Sequence, residues 1–476
     1  MADILCVGID IGTSTTQLVF SRITMNNTMG YFSVPRVSIV RKEVIYRSKV
    51  YVTPLLTESL IDAGAIRGIV EQEYRQAGFE PRDVDTGAVI VTGESARKEN
   101  AQAVLENLSA FAGEFVVSTA GPDLESVIAG KGSGAYQYSM EHSCSVANLD
   151  IGGGTTNLVL FENGATAGTG CFNIGGRLIR LTRDYIVEHV SPAAARVAEY
   201  LGIVLREGER TDEGSLRRIT DKMADLLAQA LELKEQEPLL RQLQTAQSAW
   251  LSLQGKRVDR ICFSGGVADY VNAPADDPVS HGDIGVFLGQ SIGRGQLAGA
   301  IPCIRSSETI RATVVGAGTY TTSISGSTIA YAEKLFPIKN VPVLKLDRQE
   351  QARCWSGEQG FLSGRVRWFL EQCGSDSLIL ALPGERDPDY AALTRLADCL
   401  ARELEESLPP GQPVLIVLEE DMAKALGLLL EKRLAGRRLV ACIDGIRVEQ
   451  GDYVDMGKPV MDGLVVPVIV KTLLFG

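Results

Sequence analysis

Histidine is scarce: of 476 residues only His142, His189 and His281 carry an imidazole. They lie far apart, with no second His or Cys at ligand spacing, so neither a zinc site nor histidine-based catalysis is indicated. The nine cysteines form no CxxC pair and scatter from Cys6 to Cys442, which argues against a disulfide framework and marks them as reduced core residues. Apolar runs such as Leu464–Val470 fall far short of the roughly 18 residues of a membrane span. The first basic residue, Arg22, comes late for a secretory leader. No long basic run offsets a net charge of −12, leaving nucleic-acid binding little to work with. A cytoplasmic protein is expected, with neither nucleic acid nor membrane as a partner. What is present, 45% hydrophobic and 22% charged residues, suits two to four folded domains.

Ile4–Ile9 ends at Asp10-Ile11-Gly12, and a β-rich stretch, Thr15–Phe20, follows: a strand, a tight turn and a second strand. Arg36–Val52 stays β-prone. Leu60–Ala77 carries helical spacing, Gly87–Thr92 reads as a buried strand, Ala96–Ala112 as an amphipathic helix and Glu114–Thr119 as a strand. Pro122 opens a helix running to about Tyr138. The opening pattern then recurs at Ser145–Asp150. Gly8–Thr16 (GIDIGTSTT) aligns with Asn148–Thr156 (NLDIGGGTT), matching Asp10 to Asp150 and Gly12 to Gly152, an internal repeat at the scale of a lobe. The spacing predicts an α/β protein divided into lobe I at 1–144, lobe II at 145–300, a connecting segment at 301–336 and a C-terminal α/β unit at 337–476. A charged helical insertion is expected in lobe II at about 178–253.

A turn built of Gly, Ser and Thr keeps bulk away from the backbone, so its N–H groups and hydroxyls can converge on an anion. Gly12, Thr13, Ser14 and Thr15 offer this from one lobe, and Gly152, Gly153, Gly154 and Thr155 from the other. Together they would clamp a polyphosphate. The aspartates before the turns, Asp10 and Asp150, suit Mg²⁺, which prefers oxygen ligands and keeps several waters. An isolated Asp-Gly turn is ordinary hairpin chemistry; two matched copies are not.

Gly8-Ile-Asp-Ile-Gly-Thr, Asp150-Ile-Gly-Gly-Gly-Thr and Ser264-Gly-Gly-Val resemble, in order, the first phosphate, second phosphate and adenosine motifs of the actin, sugar-kinase and heat-shock-chaperone ATPases. That resemblance covers about 1–330 and implies a two-lobed actin-like fold of duplicated ribonuclease-H-like lobes, with ATP or ADP and Mg²⁺ as ligands. It implies that Ser264, Gly265 and Gly266 meet the adenosine. It also implies that Glu125, in Leu124-Glu-Ser-Val-Ile-Ala-Gly, stands near the metal and the attacking water, with Asp150 and Thr155 completing the catalytic set. Asn173-Ile-Gly-Gly-Arg resembles the chaperone branch's Gly-Gly turn, and Val314–Ser325 its second connecting helix. A lysine of that branch has no fixed counterpart here; Arg97 and Lys98 both remain open, and a solvated helix start accounts for either.

Within the superfamily the chain is most similar to the ethanolamine ammonia-lyase reactivating factors, through VTGESARKENA, STAGPDLESVIAG, NIGGRL, FSGGV, RATVVGAGT and the closing VIVKTLLF besides the turns. This resemblance implies coupling of ATP and Mg²⁺ to release of damaged cobalamin from an adenosylcobalamin-dependent lyase. The partner implied is ethanolamine ammonia-lyase holding the damaged cofactor, and there is room for self-association and for an ethanolamine-utilisation microcompartment. The alternatives are a small-metabolite kinase, which would need a carboxylate base beside an acceptor hydroxyl, and an actin-like filament protein.

Overall fold

Alternation along the first strand, Ala2–Ile11, sends Val7, Ile9 and Ile11 into one core and turns Cys6, Gly8 and Asp10 to the opposite face. The computed structural model describes residues 2–27, 37–57, 59–93, 95, 98–108, 111, 117–119, 122–245, 256–271, 273, 277–320, 322–326 and 328–471. In it, the first strand lies at the centre of a sheet ordered Val37–Arg47, Thr15–Asn27, Ala2–Ile11, Thr86–Val91, Val117–Thr119. A second sheet is ordered Ala165–Phe172, Thr156–Glu162, Ser145–Ile151, Arg260–Ser264, Cys303–Ile304. Each central strand pairs antiparallel with the strand that follows its turn and parallel with the next one across. The shared order and directions make the sequence repeat a structural one: two ribonuclease-H-like lobes of an actin-like fold.

The helices Pro122–Gly132 and Ala312–Tyr320 pass between the lobes and pack on each other. Their backbones nearly touch. A Cβ added at Gly132 would lie 1.8 Å from the Ala312 carbonyl oxygen, and one at Gly316 2.0 Å from that of Ile128. Any side chain at either position would drive the crossing apart.

Several elements differ from expectation. The helix opened by Pro122 stops at Gly132, and a separate helix, Ala135–His142, follows. Gly134 between them takes the left-handed conformation (φ 90°), which ends a helix as a C-terminal glycine does. Leu60–Ile61 is a short strand; the helix begins at Ala63, where the Asp62 carboxylate accepts from the Ala65 N–H. Of 96–112, the helix is described over Ala101–Leu108, with Ala96, Arg97 and Ala112 outside the described residues. Of Glu114–Thr119, the strand is described over Val117–Thr119. The insertion in lobe II starts with a hairpin, Ile179–Leu181 and Val187–Val190, before its helices Pro192–Tyr200, Glu213–Ala230 and Pro238–Leu243. Here the β-branched and apolar residues of 179–190 outweigh the charge pattern.

The C-terminal unit is built on a parallel core, Ile338–Lys345, Ile379–Leu382, Val414–Leu418 and Val440–Ile443, connected by helices. Fully buried apolar runs such as Val414–Leu418 are what a sheet covered on both faces requires. Two strands of the segment 301–336 join this sheet at its edges: Thr322–Ile324 pairs with Pro467–Lys471, and Ala330–Tyr331 with Val440–Ile443. Ile469 of that strand is buried against Ala88, Ile90, Ile128 and Ala317, so the C-terminal sheet rests on lobe I and on both crossing helices. Among the described residues no helix is long and apolar enough to cross a membrane.

Candidate functional site

The two turns close in the same way: the Gly12 N–H donates to the Thr15 carbonyl at 2.8 Å, and the Gly152 N–H to that of Thr155 at 2.9 Å. Each is braced from its own lobe. Thr53 Oγ1 and Ser95 Oγ donate to the Gly12 carbonyl at 2.8 and 3.0 Å. The Gly176 N–H donates to the Gly152 carbonyl at 3.0 Å, and the Arg177 N–H to that of Gly153 at 2.7 Å. The NIGGRL turn thus seats directly on the second phosphate-type turn, so closely that a Cβ at Gly175 would lie 2.4 Å from the Gly153 oxygen.

Between the turns lies a cleft of about 440 Å³, within the range of small-molecule sites. Asp10, Gly12, Thr13, Ser14, Thr15, Glu125, Asp150, Gly152, Gly153, Gly154, Thr155, Gly265 and Gly266 all line it. Residues spread over some 250 positions of sequence therefore meet in one place. Ser264 is fully buried behind the wall, donating to Asp150 Oδ1 at 2.7 Å and accepting from Asn148 Nδ2 at 3.0 Å. Its place is under the aspartate rather than facing the cleft. Lys98 is not among the lining residues, and Arg97 lies outside the described residues.

Three carboxyls converge here. Burial pushes Asp10 up to about 7; the Thr92 hydroxyl, donating at 3.1 Å, opposes this and the charge of Asp150 adds to it. Burial likewise pushes Asp150 up to about 6, against hydrogen bonds from Ser264 and Thr313. Glu125 is held well above the usual carboxylate range by burial and then by the charges of Asp150 and Asp10, although the Gly93 N–H and the Asn157 side chain donate to it. Mutual repulsion in a partly dry cleft is the setting that a divalent cation relieves. Among the described residues no three His, Cys, Asp or Glu side chains come close enough to hold a metal directly. An oxygen-rich site of this kind fits a cation that retains much of its water, as Mg²⁺ does.

Sequence reading missed several wall residues. Arg177 stands beside the second turn, its side chain 3.2 Å from where a Gly153 Cβ would be, and pairs with Asp283 at 4.0 Å. Tyr270 and His281, hydrogen-bonded at 2.5 Å, line the side formed by Gly265 and Gly266. Thr92, Ile310 and Thr313 complete the floor. The NIGGRL motif already contained Arg177; Tyr270 and His281 carry no local signal, because they meet at the cleft only in the folded chain.

The family model described as "Ethanolamine utilisation protein EutA" matches residues 2–476. Ethanolamine ammonia-lyase reactivase EutA of Escherichia coli (strain K12) is 37% identical over 475 residues, covering 99% of this chain and 98% of that protein. The protein of the same name from Salmonella typhimurium (strain LT2) is also 37% identical, with the same coverage. Among solved structures, ethanolamine utilization protein EutJ from Carboxydothermus hydrogenoformans is 17% identical, with a TM-score of 0.34 over 67% of this chain and 90% of that one, too distant a likeness to carry a conclusion.

Proposed function

This chain belongs to the ethanolamine utilisation protein EutA family, and on that footing we propose that it is an ATP- and Mg²⁺-dependent reactivating factor for ethanolamine ammonia-lyase, releasing damaged cobalamin so that intact cofactor can rebind. The observation that carries the nucleotide half of this reading is the pair of equivalent turns, each preceded by an aspartate, facing one cleft. The client comes from the curated relatives' name.

In this reading Gly12–Thr15 and Gly152–Thr155 cradle the phosphates, and Arg177, beside the second turn, adds positive charge. Gly265 and Gly266 admit the adenosine, with Tyr270 and His281 as its wall. Asp10, Asp150 and Glu125 would hold Mg²⁺, chiefly through its retained water. Bound there, the metal would neutralise charge on the phosphates, most of what phosphoryl transfer asks of a site. Glu125, on the inter-lobe helix, orients the attacking water, and the Thr155 hydroxyl donates toward the transferred phosphate. The domain division proposed is 1–144, 145–300, 301–336 and 337–476, with the two strands at 322–324 and 330–331 serving the C-terminal unit. Action is in the cytoplasm, on a lyase that meets the protein directly.

The test is to incubate the chain with cyanocobalamin-inactivated ethanolamine ammonia-lyase, fresh adenosylcobalamin, ATP and Mg²⁺. Recovery of deaminase activity is expected. None would be recovered by a metabolite kinase, and ATP-dependent pelleting would instead mark a filament protein.

A further inference from the structure

In each hairpin an amide residue stands directly across the strand pair from the aspartate: Gln17 opposite Asp10, and Asn157 opposite Asp150. Directly opposed residues share a face of the sheet, with Cβ atoms about 4.5–5.5 Å apart, so each amide rises beside its carboxylate. Both side chains are buried, Gln17 at 3% and Asn157 at 2% exposure. Their NH₂ groups are used: Gln17 Nε2 donates to the Ile310 carbonyl at 3.1 Å, and the Asn157 amide donates to Glu125. Their carbonyl oxygens, Gln17 Oε1 and Asn157 Oδ1, are buried without a partner.

A buried acceptor left unpaired is costly and uncommon. Other described oxygens share that condition, Thr86 Oγ1 and Asn148 Oδ1 among them, but none has a counterpart at the matching position of the other lobe. Two orphaned oxygens at equivalent positions, each next to a site aspartate, call for one explanation that serves both. With a cation bound and the carboxyls ionised, Asp10, Asp150 and Glu125 have no proton to offer, so the donor then comes from the cleft.

Resting on the nucleotide-site reading above, we infer that Gln17 and Asn157 are a matched pair of positioning residues whose carbonyl oxygens accept hydrogen bonds from water held against Asp10 and Asp150 when metal and nucleotide are bound. A hydrated cation brings water protons that each need an acceptor. An amide oxygen beside each carboxylate supplies one without adding charge to a site where three carboxyls already repel. Asn157 has a second task, since the same side chain that takes water through Oδ1 fixes Glu125 through its NH₂. Gln17 ties the first turn to Ile310, which lies over Gly266 on the opposite lobe.

Calorimetric titration of ADP into the full chain, with Mg²⁺ and then with EDTA in its place, isolates the metal-dependent part of the affinity. Gln17→Met and Asn157→Leu keep bulk and remove the acceptor. Each should bind ADP in EDTA as the wild type does and lose about 10–100-fold of the tightening that Mg²⁺ gives, the usual effect of removing an outer-shell partner. Gln17→Glu and Asn157→Asp keep an acceptor, remove the donor and add a charge that itself draws the cation, and should show at least the wild-type tightening. Should an apolar variant fail to fold, the acidic variant of the same residue decides: retained tightening supports the inference and lost tightening overturns it. Unchanged tightening in the folded apolar variants would overturn it too, and if Asp10→Asn abolished it in the same assay the nucleotide-site reading would survive that failure. A wild type whose ADP affinity ignores Mg²⁺ would instead remove the site reading, and this inference with it.

Discussion

Asp10 and Asp150 occupy the same position in two copies of one hairpin, and each leans on a hydroxyl at the end of the neighbouring parallel strand, Thr92 at 3.1 Å and Ser264 at 2.7 Å. The hydroxyls do not offset burial, and both carboxyls stay above their ordinary range. Ionising either aspartate in the folded protein therefore carries a cost, set first by burial and for Asp10 also by the charge of Asp150, an arrangement common at active sites.

From this follows a stability prediction for Asp10→Asn. The folded pKa of Asp10, about 7, lies above the ordinary aspartate value of 3.8, so across that window the folded state holds more protons than the unfolded one. Its contribution is favourable at low pH and is lost as pH rises through about 7. Without nucleotide, Asp10→Asn should melt about 2–4 °C above wild type at pH 8, corresponding to roughly 1 kcal/mol, with the gain shrinking toward pH 5. Its Mg²⁺-dependent hydrolysis should fall at the same time. Melting curves at the two pH values check the sign, and equal melting at pH 8 would refute the cost of ionising Asp10.

Glu125→Gln should lower the rate of ATP hydrolysis by about 10²-fold while ADP affinity changes little, since a group that orients water acts on the transition state more than on the ground state. The competing role is a first-turn carboxylate that complements the helix dipole of Pro122–Gly132. That role predicts a small loss of stability and a normal rate. Single-turnover hydrolysis beside a thermal melt separates the two.

The adjacent glycines of the turn after Ser264, proposed to meet adenosine, should behave oppositely. A Cβ at Gly265 would meet the Ile151 carbonyl oxygen at 2.3 Å, and its φ of +86° disfavours any side chain, so Gly265→Ala should destabilise lobe II. At Gly266 the nearest atom is Ile310 Cδ1 at 3.7 Å, and the backbone is unstrained. Gly266→Val should fold normally and lose nucleotide affinity, because its branches enter the cleft. Calorimetry on a mutant of wild-type melting temperature that still bound ADP normally would move the adenosine elsewhere.

How much of this was legible in sequence follows from the range of the forces involved. The turns and their aspartates were readable because a phosphate-type turn needs small residues at contiguous positions and duplication wrote the pattern twice, whereas Glu125 was implied only by the resemblance of its segment. The start of the first crossing helix was readable from Pro122 and the α/β character of the C-terminal unit from its alternating strands and helices, while the second crossing helix was implied only by the resemblance. What escaped was set by tertiary packing: the break at Ser133-Gly134, the hairpin at 179–190, the edge strands drawn from 301–336, and the wall contributed by Arg177, Tyr270 and His281. The amides Gln17 and Asn157 were visible as letters, but their orphaned oxygens appear only once the hairpins are folded.

The last prediction concerns transmission to the partner. Glu125 and Ile128 lie on one helix, and Ile128 packs against Ile469 of the C-terminal sheet, so any movement of that helix between nucleotide states presses on the third unit. If the two states present different surfaces, nucleotide must change affinity for ethanolamine ammonia-lyase, and the lyase must change affinity for nucleotide by the same factor. A typical coupling of about 1–3 kcal/mol corresponds to roughly 5–150-fold. The lyase should co-elute with the chain in one of the ATP and ADP states and separate in the other. Ile469→Val removes one methyl group from the contact at a cost of about 0.5–1.5 kcal/mol, mild enough to leave the fold intact. It should narrow the ATP-to-ADP difference in lyase affinity while leaving hydrolysis near wild type, because it does not touch the cleft. Equal lyase affinity in the apo, ADP and ATP states of the wild type would sink the coupling, and an unchanged difference in Ile469→Val would take the C-terminal sheet out of its path.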